Sequence, residues 1–393
     1  MKLNRTLNLY DIFFTGYGHI VGAGIYTLLG FTTKYANNLT WLSFIIGGII
    51  SLCTGLSYAN LNPIYNSNSA EYDYISNTMG KKTGFVIAIL LLLIGPIIIS
   101  TLTLALREYL PFKNYFNSLL LSIIILSIPT IINISSVKNT SKLNILITCL
   151  ETLGLIAIII CSMNKWNIPK ILDFSTASTT NVLRSSFLSI FAFIGFEEIV
   201  NLSEETINPD ITIPKGIISS IVVATILYAL ISISTYSILG YNKLSTTNTP
   251  ISDSGLILLG KNFHNTLDII AIVSIFSSIL LTILSHSRQL YGMSKRKLLP
   301  KFISNVNQYT LTPIYAIIIT SILSILFTLV NNVELSATLT NLIIFTIFLF
   351  VNIAAIIHNH NNNKSIPIYS IFGTIANLVM ICISLFGNFF KIL

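Results

Sequence analysis

The sequence predicts an all-α, multi-pass membrane protein. Three observations carry that prediction: 53% of the 393 residues are hydrophobic, only 9% are charged, and the apolar residues collect into stretches of about 20 separated by short polar loops. A soluble domain carries roughly 25% charged residues. A chain this poor in charge cannot cover a water-facing surface of its own size, and a mean hydropathy of +0.79 says the same. The net charge of +8 does not indicate a nucleic-acid partner, because the basic residues lie in short loops between apolar stretches, as the positive-inside bias of membrane proteins requires.

A helix that crosses a hydrocarbon core of about 30 Å needs about 20 mainly apolar residues. Eleven stretches qualify: 9–31, 40–61, 84–106, 115–133, 143–163, 183–203, 214–239, 265–288, 312–331, 335–357 and 367–390. At this segment length only helices satisfy their backbone polar groups within lipid. Met1–Tyr10 is polar and the segment after it is long enough to span, so no cleavable signal peptide is expected. The cluster Lys295–Lys301 in one short loop places the N-terminus in the cytoplasm, and an odd number of spans places the C-terminus outside. Cys53, Cys149, Cys161 and Cys382 all fall in apolar stretches and read as small buried hydrophobes. His358–Lys364 (HNHNNNK) has no cysteine or carboxylate beside its histidines; it reads as a solvated loop, and no metal site is expected.

Span 1 carries GYGHIVGAGIYTLLG at Gly16–Gly30. Close packing between helices explains glycines four apart, such as Gly18 and Gly22. The tight Gly22-Ala23-Gly24 reads as a place where the helix opens. Span 6 carries FAFIGFEE at Phe191–Glu198, with two acids in mid-span, where each would be costly in a lipid-facing helix. A break near Ile194 with a restart near Phe196 would set Glu197 at a new helix N-terminus, where the dipole favours negative charge. Paired interruptions in spans 1 and 6, the first helices of two five-span halves, point to an inverted-repeat transporter with a midplane site. Free N–H groups at such breaks suit a carboxylate and free carbonyls suit an ammonium, so the chemistry suits a zwitterion.

These residues resemble the amino acid–polyamine–organocation permeases. The resemblance rests on GYGHIVGAGIY in span 1, FAFIGFEEIVNLSEETINPDITIPKGI at Phe191–Ile217, SRQLYGMSKRKLLP at Ser287–Pro300 and NSAEYDYISNTMG at Asn68–Gly80, in the family's order over residues 5 to 330. It implies a leucine-transporter-type fold, a 5+5 inverted repeat with spans 1 and 6 discontinuous. The whole chain is then one transporter domain, with the first repeat in 1–163, the second in 183–357 and an accessory helix at 367–390. It also implies that backbone N–H groups at Gly22, Ala23 and Gly24 hold a substrate carboxylate, and that carbonyls at Ile20, Phe191, Ala192 and Ile194 hold its ammonium. Some proton-coupled relatives have a lysine in mid-span 5; here Glu151 stands at that position. Two readings of Glu151 stay open: a proton carrier, or a structural acid bonded to the backbone of span 1 or 8. Relatives that pair with a glycoprotein subunit use a cysteine in the loop after span 3. Arg107–Asn114 has none, so no disulfide-linked partner is expected.

The remaining candidates have plainer readings. Glu197 and Phe196 are candidates for coupling or gating, with packing the alternative for Phe196 and for Phe193. His19 reads as a satisfied histidine between helices. Glu204 and Glu205 read as a solvated loop, with an inner gate against Lys295–Lys301 as the functional alternative. The expected function is secondary transport of an amino acid by alternating access, proton-coupled or by exchange, with proton or sodium as the ion and no other cofactor. A neutral substrate is expected because spans 3 and 8 offer only Asp268 as an acid. The alternatives are a polyamine or cationic amino acid transporter, or a non-transporting sensor, against which the short tails argue. No enzyme motif is present. The expected place is the plasma membrane.

Overall fold

The computed structural model describes residues 7–65, 67, 69–110, 117–135, 140–310 and 312–392. Its helices are α1 (Leu9–Ala36), α2 (Thr40–Tyr65), α3 (Ala70–Met79), α4 (Lys81–Tyr109), α5 (Ser118–Ser135), α6 (Thr140–Ser162), α7 (Ile168–Ile171), α8 (Thr179–Ser189), α9 (Pro209–Leu244), α10 (Pro250–Leu259), α11 (Lys261–Lys295), α12 (Ile314–Phe327), α13 (Val333–Asn361) and α14 (Ile368–Ile392). The only extended pairing among the described residues is a single bridge between Leu7 and Thr206. Each of the eleven expected stretches has a helical counterpart, and α3, α7 and α10 are short helices in the loops. Nine helical stretches among the described residues are long and apolar enough to cross a membrane, the first running through the end of α1 and all of α2; the apolar Ile314–Val330 is shorter.

Local chemistry sets the helix ends. Asn8 caps α1 by accepting from the amides of Tyr10 (2.8 Å) and Asp11 (3.2 Å), and Asp11 returns the bond to the Asn8 amide at 3.0 Å. Asn332 caps α13 through the Leu335 amide at 2.9 Å. The outer surface is apolar, with Leu146, Leu150, Leu153 and Ile160 of α6 exposed, as lipid requires. The interior is rich in buried serine, threonine and asparagine, whose hydroxyls and amides bond to backbone carbonyls and to one another.

Spans 1 and 6 meet the expectation of paired breaks differently. Span 6 is broken. Helix α8 ends at Ser189, a 3-10 turn covers Ile190–Phe193, Ile194 is extended (φ −58°, ψ 137°) and a second 3-10 helix runs Glu197–Glu205. Gly195 between them has φ +123°, a conformation open to glycine and strained for any other residue. Span 1 is not broken: α1 is one helix from Leu9 to Ala36. Its glycines serve close packing instead. A Cβ on Gly18 would fall 2.2 Å from Thr148 Oγ1, one on Gly22 2.1 Å from Ser278 Oγ, and one on Gly24 2.2 Å from the Cα of Ala192.

Lys2, Arg5, Lys113 and Lys138 of the charge pattern, and the second half of the loop Arg107–Asn114, lie outside the described residues, as do the side chains of Ala23, Lys142, Glu204 and Glu205. All four cysteines are free, but they are not buried as expected: Cys53, Cys149 and Cys161 are half-buried and Cys382 is exposed.

Candidate substrate and coupling site

Helix α1 crosses the break of span 6 at Gly24, where missing side-chain atoms let it lie on the Ala192 backbone. One hydroxyl joins the two there. Tyr228 Oη of α9 lies 2.6 Å from the Ile20 carbonyl and 3.0 Å from the Ala192 carbonyl. These are two of the four carbonyls expected to hold an ammonium, and both are already within reach of a donor. The Phe191 carbonyl accepts from the Ile194 amide at 3.3 Å, closing the 3-10 turn. Ile20, Phe191, Ala192 and Ile194 are all buried. The amides of Gly22, Ala23 and Gly24 lie inside α1, so a carboxylate reaches them only once that helix opens. Phe193 stacks edge-on against Tyr228, with centroids 5.2 Å apart.

The two candidate acids have different surroundings. Glu151 of α6 is buried and contacts the Ser274 hydroxyl of α11, which also contacts the Gly22 carbonyl of α1. A serine thus joins the acid to the backbone of span 1. Glu197 turns back on its own break and accepts from the Gly195 amide at 2.9 Å, so the carboxylate satisfies a backbone donor at the break. Phe196 is fully buried between Tyr58 and Phe348, with centroids 6.0 and 5.3 Å away; its contacts are those of a packed core ring.

The N-terminal end of the bundle is tied by Arg296. Its Nε donates to Asp73 Oδ1 at 2.7 Å and one terminal nitrogen contacts Asp73 Oδ2; further bonds reach Ser67 (2.7 Å) and Ser69 (3.2 Å). The basic loop therefore finds an acid in the SAEYDY segment before span 3. His19 sets Nε2 3.0 Å from Thr282 Oγ1 and Nδ1 3.9 Å from Glu198.

Reasoning from sequence missed Tyr228, Ser274 and the Asp73–Arg296 pair. The last lay within two segments already singled out, so its signal was present without a pairing. Tyr228 and Ser274 carry one hydroxyl each in apolar spans that hold many, and nothing in the sequence distinguishes them. No group of three or more His, Cys, Asp or Glu side chains suited to a metal occurs among the described residues.

The comparisons agree with this architecture. A family model described as amino acid permease matches residues 7–392. The chain is 24% identical over 387 residues to the branched-chain amino acid permease BcaP of Bacillus subtilis (strain 168), across 91% of this chain and 81% of that protein. It is 20% identical over 384 residues to cationic amino acid transporter 1 of Arabidopsis thaliana, across 91% of this chain and 63% of the plant protein. The structure of MhsT in complex with L-phenylalanine superposes with a TM-score of 0.67 at 13% identity, covering 98% of this chain and 100% of that one, a likeness of fold of the leucine-transporter type. The chain belongs to the amino acid permease family: it is a multi-pass membrane transporter of amino acids and not an enzyme.

Proposed function

We propose that the protein carries a neutral amino acid by alternating access, driven by a proton that Glu151 binds and releases. The observation that carries this reading is the chain of contacts from Glu151 through Ser274 to the Gly22 carbonyl. A serine hydroxyl has one hydrogen, and both neighbours are acceptors when Glu151 is ionised. With both contacts made, the second hydrogen comes from Glu151 itself: the protonated acid donates to Ser274, and Ser274 donates to Gly22. Deprotonation turns the serine toward the carboxylate and frees the Gly22 carbonyl, next to the segment whose amides must open to take a carboxylate. The proton and the substrate site are thus linked through one hydroxyl.

In this reading the ammonium replaces Tyr228 on the Ile20 and Ala192 carbonyls, while Gly22, Ala23 and Gly24 receive the carboxylate. A neutral side chain suits a crossing lined by Phe193 and Ile20, and a relative named for branched-chain amino acids supports it. The relative named for cationic amino acids, and the buried acids near the break, favour the alternative. In this reading the end tied by Asp73 and Arg296 faces the cytoplasm, which the Lys295–Lys301 cluster supports, and the membrane is the plasma membrane. The test is uptake of labelled leucine and labelled arginine into proteoliposomes, with an inward proton gradient, with no gradient, and with unlabelled amino acid preloaded. Leucine uptake that needs the proton gradient is the expected result. Uptake that needs preloading makes the protein an exchanger, and preference for arginine replaces the neutral substrate with a cationic one.

A further inference from the structure

On the C-terminal side of the span 6 break the bundle encloses a second polar space. Leu91, Ile94 and Ile98 of α4 and Ile344 and Ile347 of α13 form apolar walls around Glu71, Glu197 and Glu198. Three carboxylates in one low-dielectric space repel one another unless something positive joins them. Among the described residues no lysine or arginine lines it, and Arg296 is engaged by Asp73 and two serines.

Among the described residues, four oxygens at this space have no hydrogen-bond partner: Glu71 Oε2, Glu198 Oε2, Asn201 Oδ1 and Ser285 Oγ. Glu71, Asn201 and Ser285 are 2%, 5% and 8% exposed. Buried polar atoms are almost always paired, so such a group points to an occupant. The space admits a water-sized guest.

The groups facing these acids come from every packed element. From α11, His286 engages both ring nitrogens elsewhere, with the Leu91 carbonyl at 3.1 Å and Thr320 Oγ1 at 2.9 Å, and Gln289 adds a neutral amide. From α2, Tyr58 Oη donates to Glu71 Oε1 at 3.5 Å. From α1 comes His19. The Thr282 hydroxyl donates to the Ser278 carbonyl at 2.8 Å, so His19 Nε2 must donate to Thr282. That leaves Nδ1, 3.9 Å from Glu198 Oε2, as a lone pair facing a lone pair unless a proton lies on one of them. We propose that this chamber is a proton-binding site separate from Glu151, in which Glu198 and His19 hold one proton between spans 6 and 1 and Glu71 takes another. Independently, burial pushes the Glu71 carboxyl, which lies in α3 outside the spans, up to about 7. Loading the chamber removes repulsion among carboxylates on α3 and the second half of span 6 and ties that half to α1; unloading it pushes them apart. That such movement serves transport rests on the transporter reading, whereas the binding of protons does not.

The test is an infrared titration of purified protein without amino acid, following the protonated carboxyl stretch from about pH 5 to pH 9. It is run in a Glu151→Gln background so that Glu151 is silent. Glu198→Gln and Glu71→Gln are each expected to remove about half of the signal that titrates near neutrality. Glu198→Asp, in case the glutamine variant does not fold, should keep the signal with a shifted midpoint. A titration that none of these variants changes overturns the proposal. Loss of the signal on adding sodium at fixed pH also overturns it, in favour of a metal-cation site. Failure of uptake with a normal titration would overturn the transport reading and leave this site standing.

Discussion

Spans 1 and 6 occupy matching places in the two halves of the chain, yet one is whole and the other is broken. Span 1 has the more glycines within a few turns, and on propensity alone it should be the weaker helix. It survives because each of those glycines lies against a neighbour that a side chain would strike, so the packing they permit offsets their intrinsic cost. Span 6 breaks at one glycine because its backbone turns through φ +123° there and because Glu197 bonds the freed Gly195 amide. A helix interruption therefore needs a partner for the groups it exposes. In span 6 that partner is built in; in span 1 it would have to be the substrate.

The most severe way to break this comparison is to remove the close approach. Gly24→Leu sets a side chain where even a Cβ meets the Ala192 backbone at 2.2 Å, and α1 must move off the span 6 break. Substrate binding by the purified protein is expected to fall at least 100-fold, which corresponds to about 3 kcal/mol. Wild-type affinity in a folded Gly24→Leu protein would remove the crossing of α1 over the break as the site.

Glu151→Gln sharpens the comparison by leaving span 1 wired to α11 while fixing the wire in its neutral form. An amide can still donate to Ser274, so exchange of internal for external amino acid should persist within about threefold. Proton-driven accumulation should be lost, at least tenfold in the steady-state gradient. Ser274→Ala cuts the same chain at the serine and should impair both activities. Equal loss of exchange and accumulation in Glu151→Gln would make the acid a structural one.

A separate effect should appear in stability against pH. Burial raises the Glu71 carboxyl from 4.5 to about 7, so the folded protein holds a proton there that the unfolded chain releases. Between those values the folded state binds more protons, and stability falls as pH rises. The loss begins above the unfolded value and is complete above the folded one, at roughly 3 kcal/mol. Thermal melts of Glu71→Gln should lack this slope between about pH 5 and pH 7. A slope unchanged from wild type would show that another group carries it.

Much of the fold was legible because lipid imposes one strong rule. Each of the eleven apolar stretches has a helical counterpart, and the break at Ile194–Gly195 was marked by two acids that no continuous lipid-facing helix would hold. The state of span 1 was not legible, since the same glycines serve an open helix or a packed one, and only the neighbours decide. Within the site, the sequence indicated Gly24, Ala192 and Ile20, which the structure brings together. It offered no reason to choose Tyr228 or Ser274 among many hydroxyls. The pairing of Asp73 with Arg296 joins residues more than 200 positions apart, a separation that short motifs do not bridge.

The mildest test acts on Tyr228. Its hydroxyl is the donor now resting on the Ile20 and Ala192 carbonyls, where the substrate ammonium is proposed to bind. If it is a stand-in for the ammonium, binding exchanges one donor for another, and part of the affinity is lost to breaking the tyrosine's bond. Tyr228→Phe removes that competitor. The empty protein loses a hydrogen bond worth about 1 kcal/mol, while the loaded protein loses nothing. Affinity should rise by about fivefold, with a small drop in the stability of the empty form. If Tyr228 instead holds the substrate, the same variant should weaken binding by a similar factor, with the same small drop in the stability of the empty form. The sign of the change in Kd separates a placeholder from a ligand, and shows whether the span 6 carbonyls are a resting contact or the site itself.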